Sequence, residues 1–158
     1  MKHLKLAQPA PTFTAKDQNG SDISLTDFSG KPVVIYFYPK DNTPGCTTQA
    51  CNLRDNYSSL LAEDIVVIGV SADDEIAHQK FIKKFDLPFP LIADVNKELI
   101  ELYGVWGEKK FMGKIYDGIH RTTFVLDKSH TIIGIIEKPK NKDHAREVLE
   151  IFEKNKTS

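Results

Sequence analysis

The chain has 158 residues, 41% hydrophobic and 27% charged, with a formal net charge of −1. That is an ordinary globular composition, long enough for one domain over residues 1–158 with a real core. It has no Lys/Arg-rich stripe or basic tail to grip nucleic acid, and no segment near the roughly 18 apolar residues that a membrane span requires.

The opening Met1-Lys2-His3-Leu4-Lys5-Leu6 is basic, but Pro9 and Pro11 follow instead of an apolar stretch. No signal peptide is read, and the default compartment is the cytoplasm. Phe13 to Leu25 reads as a hairpin around Asn19-Gly20, a strong signal for a two-residue turn. Gly30-Lys31-Pro32 precedes Val33-Val34-Ile35-Tyr36-Phe37-Tyr38, a continuous β-branched and aromatic run expected of a strand buried on both faces. Pro39 stops it.

Thr47 to Leu61 follows as one helix, with Ala50, Leu53, Tyr57, Leu60 and Leu61 at helical spacing. Ile65-Val66-Val67-Ile68-Gly69-Val70 is a second buried strand, so strand, helix and strand form a right-handed parallel crossover. Ile76 to Phe85 reads as a helix, Phe89 to Ala93 as a short extended segment, and Lys97 to Tyr103 as a brief helix ended by Gly104. Thr122 to Leu126 and Thr131 to Ile136 form a hairpin across Asp127-Lys128-Ser129-His130. A last helix starts near Asp143, and its lysines read as a solvated face. The order predicts an α/β domain: a mixed central sheet flanked by helices, with an N-terminal hairpin, on the plan of a thioredoxin-like fold. Fold alone does not give function.

The chemistry concentrates after the first buried strand. The only cysteines are Cys46 and Cys51, too few for a disulfide-stapled secreted domain. Cys46 follows the loop Pro39-Lys40-Asp41-Asn42-Thr43-Pro44-Gly45 and stands in the first turn of the next helix. Sites in open α/β sheets lie beyond the carboxyl ends of strands. Unpaired N–H groups and positive potential at a helix start favour a thiolate, the nucleophilic form. Thr43, Pro44, Gly45 and Thr47 are poor core formers, which argues against Cys46 as a merely buried hydrophobe.

Pro39-x-x-x-Thr43-x-x-Cys46, within Phe37-Tyr38-Pro39-Lys40-Asp41-Asn42-Thr43-Pro44-Gly45-Cys46-Thr47 and followed by Ala50-Cys51, resembles the active-site motif of the peroxiredoxins. The similarity is to their bacterioferritin comigratory protein, or peroxiredoxin Q, subfamily, and it runs from the first hairpin to the last helix. The resemblance implies that Cys46 is the peroxidatic cysteine and that Thr43 and Pro39 shape its pocket. It also implies an arginine from a distant strand, a place that Arg121 fills in His120-Arg121-Thr122-Thr123. A guanidinium keeps its charge at working pH, stabilises a thiolate and can donate to peroxide oxygens. Gln49 stands where relatives commonly carry Glu; it is read as a pocket residue or as an exposed helix residue. Tyr38 and Trp106 are read as pocket walls or as packing.

On one regular helix, Cys46 and Cys51 would lie roughly 8.7 Å apart between Cα atoms, against about 4.4–6.8 Å for a disulfide. The pair can bond only if the helix opens. The resemblance implies that Cys51 is the resolving cysteine in the same chain and that a thioredoxin-like partner reduces the disulfide. The substrate would be a hydroperoxide and the protein a monomer or weak dimer, with no cofactor or metal required. Three rivals differ in their signatures. A disulfide reductase would want Cys-x-x-Cys. A zinc module would draw on His3, His78, His120, His130 and His144, which have no paired spacing. A redox-dependent binding protein or chaperone would bind partners without turning over peroxide.

Overall fold

The computed structural model describes residues 4–156; Met1-Lys2-His3, half of the basic opening read above, lie outside the described residues with Thr157 and Ser158. Strands β1 (Thr14–Lys16) and β2 (Asp22–Ser24) pair antiparallel, as expected of the first hairpin. Its turn is longer than the two residues predicted. Asp17 N–H bonds to Ser21 O at 2.9 Å, and the Asp17 carboxylate accepts from the N–H groups of Asn19 and Ser21. The side chain of Asp17 thereby satisfies the backbone of a wider loop, with Gly20 in the left-handed region at φ 74°.

The central sheet is built from β3 (Val33–Phe37), β4 (Val66–Ser71), β5 (Leu91–Ala93), β8 (Thr122–Leu126) and β9 (Ile132–Ile136), in the order β5-β4-β3-β8-β9. β3 and β5 run parallel to β4, while β8 and β9 are antiparallel to their neighbours. Every residue of β3 is buried. Val34 and Tyr36, with Tyr38 beyond the strand end, face one core and Val33, Ile35 and Phe37 the other, which is why the run is continuously apolar.

Helices cover both faces. On the first lie α1 (Pro44–Asp55), α2 (Tyr57–Ala62), α3 (Glu75–Phe85) and α5 (His144–Lys156), through Cys46, Ala50, Leu53, Leu60, Phe81, Val148 and Phe152. On the second lie α4 (Glu98–Leu102), the 3₁₀ turn Leu25–Phe28 and Trp106. The helix predicted as one from Thr47 to Leu61 is two: it starts at Pro44 and breaks at Asn56. There the Asn56 side chain donates to Asn52 O at 2.8 Å, competing with the backbone for the helical acceptor.

A further hairpin, not expected from the sequence, is β6 (Trp106–Phe111) with β7 (Lys114–Ile119). Its strands are lysine-rich and largely exposed, so no buried run marks them. The signal was Met112-Gly113, a two-residue turn with both residues at positive φ.

Gly69 in β4 lies between Tyr36 and Leu91. A Cβ there would sit 2.7 Å from Leu91 Cδ2 and 2.9 Å from the Tyr36 hydroxyl. Gly69→Ala is therefore expected to destabilise the fold by about 1–3 kcal/mol through overpacking, read as a lower urea midpoint with unchanged m-value. An unchanged midpoint would mean the β4–β5 face yields more easily than this packing implies.

Candidate active site

Thr43 precedes α1 in extended conformation and Pro44 is its first residue, where a missing N–H costs nothing. The first helical bond runs from Thr47 N–H to Thr43 O at 2.8 Å, which leaves the Cys46 N–H among the unpaired donors at the helix start. The Thr43 hydroxyl donates to Lys40 O at 2.9 Å, folding the loop back on itself. Asn42 helps that loop turn at φ 59°. Pro39, half-buried, lies two residues past the end of β3, at the start of the loop.

Arg121 reaches the thiol through sheet register. Thr122 pairs with Phe37, the last residue of β3, so the residue before it stands beside the loop that leaves β3. Arg121 Nη2 lies 3.1 Å from Cys46 Sγ, and Nη1 donates to Gln49 Oε1 at 2.7 Å. Gln49 is fully buried rather than exposed, one turn after Cys46, and its Nε2 has no hydrogen-bond partner among the described residues. The planar guanidinium thus spans two acceptors on one helix face. Cys46 is itself only 1% exposed. A Cβ on Gly45 would lie 3.3 Å from Arg121 Nη2 and 3.2 Å from Asn141 Nδ2, so glycine lets both side chains approach the helix start.

Two further groups surround the arginine. Lys109, on the hairpin the sequence did not reveal, lies across Gly118 and donates to Ile119 O at 3.0 Å. Burial, and then the charge of Arg121, push its ammonium below the usual lysine range. His144 is buried, with Nε2 2.9 Å from the Thr123 hydroxyl and Nδ1 3.0 Å from Glu147. Burial outweighs Glu147 and holds the imidazole down, which favours its neutral form near Arg121.

Tyr38 is fully buried beside the Cys46 face, stacked on Tyr36 at 5.3 Å between centroids. Its hydroxyl donates to Asp41 Oδ1 at 2.5 Å. Asp41 Oδ2 meets His78 Nδ1 at 2.6 Å, and His78 Nε2 lies 2.8 Å from Ile92 O. A carbonyl only accepts, so Nε2 carries a proton; Nδ1 donates to a carboxylate already serving Tyr38. Burial lowers the His78 pKa, but the hydrogen bond and charge of Asp41 outweigh it and the net direction is up, which favours an imidazolium paired with Asp41. Trp106 packs on the opposite face of the sheet, with Lys97 5.1 Å above its ring.

Cys51 is half-buried, and both cysteines are free thiols on the unbroken α1. Among the described residues, one cluster of three or more side chains has metal-ligand geometry: Asp41, Asp73 and His78. Neither cysteine belongs to it, and both His78 nitrogens are already hydrogen-bonded, to Asp41 and to Ile92 O.

Residues 6–135 match the AhpC/TSA family. The chain is 48% identical over 150 residues to a putative peroxiredoxin Bcp of Haemophilus influenzae, covering 95% of this chain and 97% of that one. It is 46% identical over 147 residues to peroxiredoxin Bcp of Bacillus subtilis, covering 93% and 94%. The chain belongs to the AhpC/TSA peroxiredoxins.

This peroxiredoxin is accordingly a thiol peroxidase. Its fold matches the bacterioferritin comigratory protein of Xanthomonas campestris, studied for alkyl peroxide reduction, with a TM-score of 0.86 at 32% identity over 95% of this chain and 97% of that one. A Xylella fastidiosa PrxQ mutant superposes with a TM-score of 0.89 at 28% identity, covering 98% and 99%. The thioredoxin-like plan and the peroxiredoxin resemblance read from the sequence both hold. Among the described residues, no helix is long and apolar enough to cross a membrane.

Proposed function

We propose that Cys46 is the peroxidatic nucleophile and Cys51 its resolving partner. The observation that carries this is Arg121 Nη2 at 3.1 Å from Cys46 Sγ, at the start of an unbroken helix that also bears Cys51. The thiolate attacks one oxygen of ROOH. The O–O bond breaks, the sulfur is oxidised to a sulfenic acid, and the departing alkoxide leaves as ROH with a proton from water. Arg121 and the unpaired Cys46 N–H donate toward the oxygens as charge moves onto the leaving one. Thr43 and Pro39 shape the approach, Gln49 holds the guanidinium, and Tyr38 seals the pocket floor.

Cys51 then condenses with the sulfenic acid, releasing water and forming a disulfide. Within an intact helix the two Cα atoms are roughly 8.7 Å apart, so the first turns of α1 unwind. A thioredoxin-like dithiol reduces the disulfide by exchange, returning both thiols. Hydrogen peroxide and alkyl hydroperoxides are the substrate class, the latter supported by the Xanthomonas relative. The whole chain acts as one domain, as a monomer or weak dimer in the cytoplasm.

Reduced protein treated with one equivalent of hydrogen peroxide is expected to lose both free thiols and two protons in mass. Peptide mapping should then find Cys46 joined to Cys51. Cys51→Ser should stop at a dimedone-reactive sulfenic acid on Cys46. Oxidised wild type that keeps its Cys51 thiol, or forms only disulfides between chains, would remove Cys51 from the resolving role. A dithiol reductant such as thioredoxin should restore both thiols; failure of every thioredoxin-like dithiol would remove that partner.

A further inference from the structure

The resolution step requires the first turns of α1 to leave their folded position, and the inference here rests on that reading. Hydrogen bonds tie α1 to its surroundings on both sides of Cys51, but differently. Before Cys51 the ties run to Arg121, through Cys46 and Gln49. Immediately after it, Asn52 Nδ2 donates to Lys142 O at 2.8 Å, and Asn52 Oδ1 accepts from Ala145 N–H at 2.8 Å. Ala145 lies in the first turn of α5, where N–H groups have no helical partner. One carboxamide therefore binds α1 both to the start of α5 and to the 3₁₀ turn Asn141–Asp143 before it. Further along, Arg54 Nη1 donates to Phe85 O at 2.7 Å and ties the same half of α1 to α3.

The 3₁₀ turn that Asn52 holds also lies over the turn that must unwind. Asn141 Nδ2 stands 3.2 Å from the position a Gly45 Cβ would occupy. Pro44, Gly45 and Thr48 on α1 face Lys140, Asn141 and Lys142 across one open cleft. Keeping Asn52 bonded keeps Asn141 beside Gly45, at the first turn of α1.

We propose that Asn52 is a positioning residue for the resolution step: its two hydrogen bonds latch the 3₁₀ turn onto α1, and their release sets how fast oxidised Cys46 reaches Cys51. The latch therefore also sets tolerance to excess peroxide. While it is closed, Cys46–SO⁻ can react with a second ROOH, giving Cys46–SO₂⁻ and ROH. Once it opens, Cys46–SOH and Cys51–SH give the disulfide and water. The two fates compete for one sulfenic acid.

The test is Asn52→Ala, followed by rapid quench and intact mass with hydrogen peroxide. Sulfenic acid formation should keep its wild-type rate, because Cys46, Arg121 and Gln49 are untouched. Disulfide formation should accelerate roughly tenfold, as expected for losing two hydrogen bonds of ordinary net strength. The sulfinate fraction at high peroxide should fall in parallel. Asn52→Asp keeps an acceptor for Ala145 and loses the donor to Lys142, so its rate should lie between; it also serves if the alanine variant does not fold. A general loosening of the fold would disturb the first step as well, so the split between the two steps is the diagnostic readout. Disulfide formation at or below the wild-type rate in the folded variants, with the first step intact, overturns the latch alone. Wild type that forms no Cys46–Cys51 bond overturns the resolving role, and the latch with it.

Discussion

Replacing Arg121 by methionine is expected to slow the reaction of Cys46 with hydrogen peroxide by about two to three orders of magnitude, the range for removing a preorganised donor from a developing anion. Methionine keeps much of the apolar stem and removes the guanidinium. That group donates to Cys46 Sγ at 3.1 Å and to Gln49 Oε1 at 2.7 Å. Its loss takes a positive charge and a donor from a thiol that is almost completely buried, and leaves Gln49 Oε1 without its donor. Arg121→Lys should recover only part of the rate, because an ammonium lacks the planar fork that serves two acceptors at once. Cys46→Ser sets the floor, with no turnover. Stopped-flow fluorescence or competition against a second peroxidase measures the rate. Arg121→Met within about threefold of wild type would show that the arginine contributes little to transition-state stabilisation.

The second large effect is on stability. His78→Leu is expected to cost about 3–5 kcal/mol, because it strands the Asp41 carboxylate in the interior. That is a large share of the roughly 5–15 kcal/mol that holds a typical domain together. Burial alone would lower the His78 pKa, but the hydrogen bond and charge of Asp41 outweigh it, and the net direction is up. The sign follows from linkage. A group whose folded pKa is raised contributes stability that is fully present below the unfolded value, about 6.5 for histidine. That contribution is lost as pH rises through the folded pKa. Urea unfolding across this window should show wild type losing its advantage over His78→Leu as the solution becomes alkaline. A difference between the two that stays flat or grows with pH would mean His78 is neutral in the folded protein. The Tyr38–Asp41–His78 chain lies directly beneath the loop that leads to Cys46, so the same variant should loosen that loop, seen as faster amide exchange at Asp41 and Asn42.

Much of the architecture was legible because it is written in short-range pattern. Val33–Tyr38 and Ile65–Val70 are continuous apolar runs, and such runs are what a strand buried on both faces requires. The apolar spacing over Ile76–Phe85 matches α3 to within a residue. Other elements had no such pattern. The β6–β7 ribbon stands outside the central sheet and buries little, so its lysine-rich strands were free of the alternation that marks a half-buried strand. The break at Asn56 depends on one side chain competing for one carbonyl, which helical periodicity does not register. The wider first hairpin depends on Asp17 bonding two backbone N–H groups, a choice that Asn19-Gly20 alone did not reveal.

The site divides along the same line. By itself, the sequence determined the proposed nucleophile's place at a helix start, the loop that delivers it and the five-residue spacing to Cys51. All of these are properties of one contiguous segment, where covalent distance limits spatial distance. Only the tertiary structure decided which distant groups meet that segment. Arg121 is 75 positions from Cys46 and is delivered by antiparallel pairing of β8 with β3. His78 is 37 positions from Asp41, and Lys142 is 90 from Asn52. Local spacing carries no information about such contacts, because strand register and helix docking are set by the packing of the whole core. The same packing buried Gln49 beneath the guanidinium, where helical position alone left it equally able to face solvent.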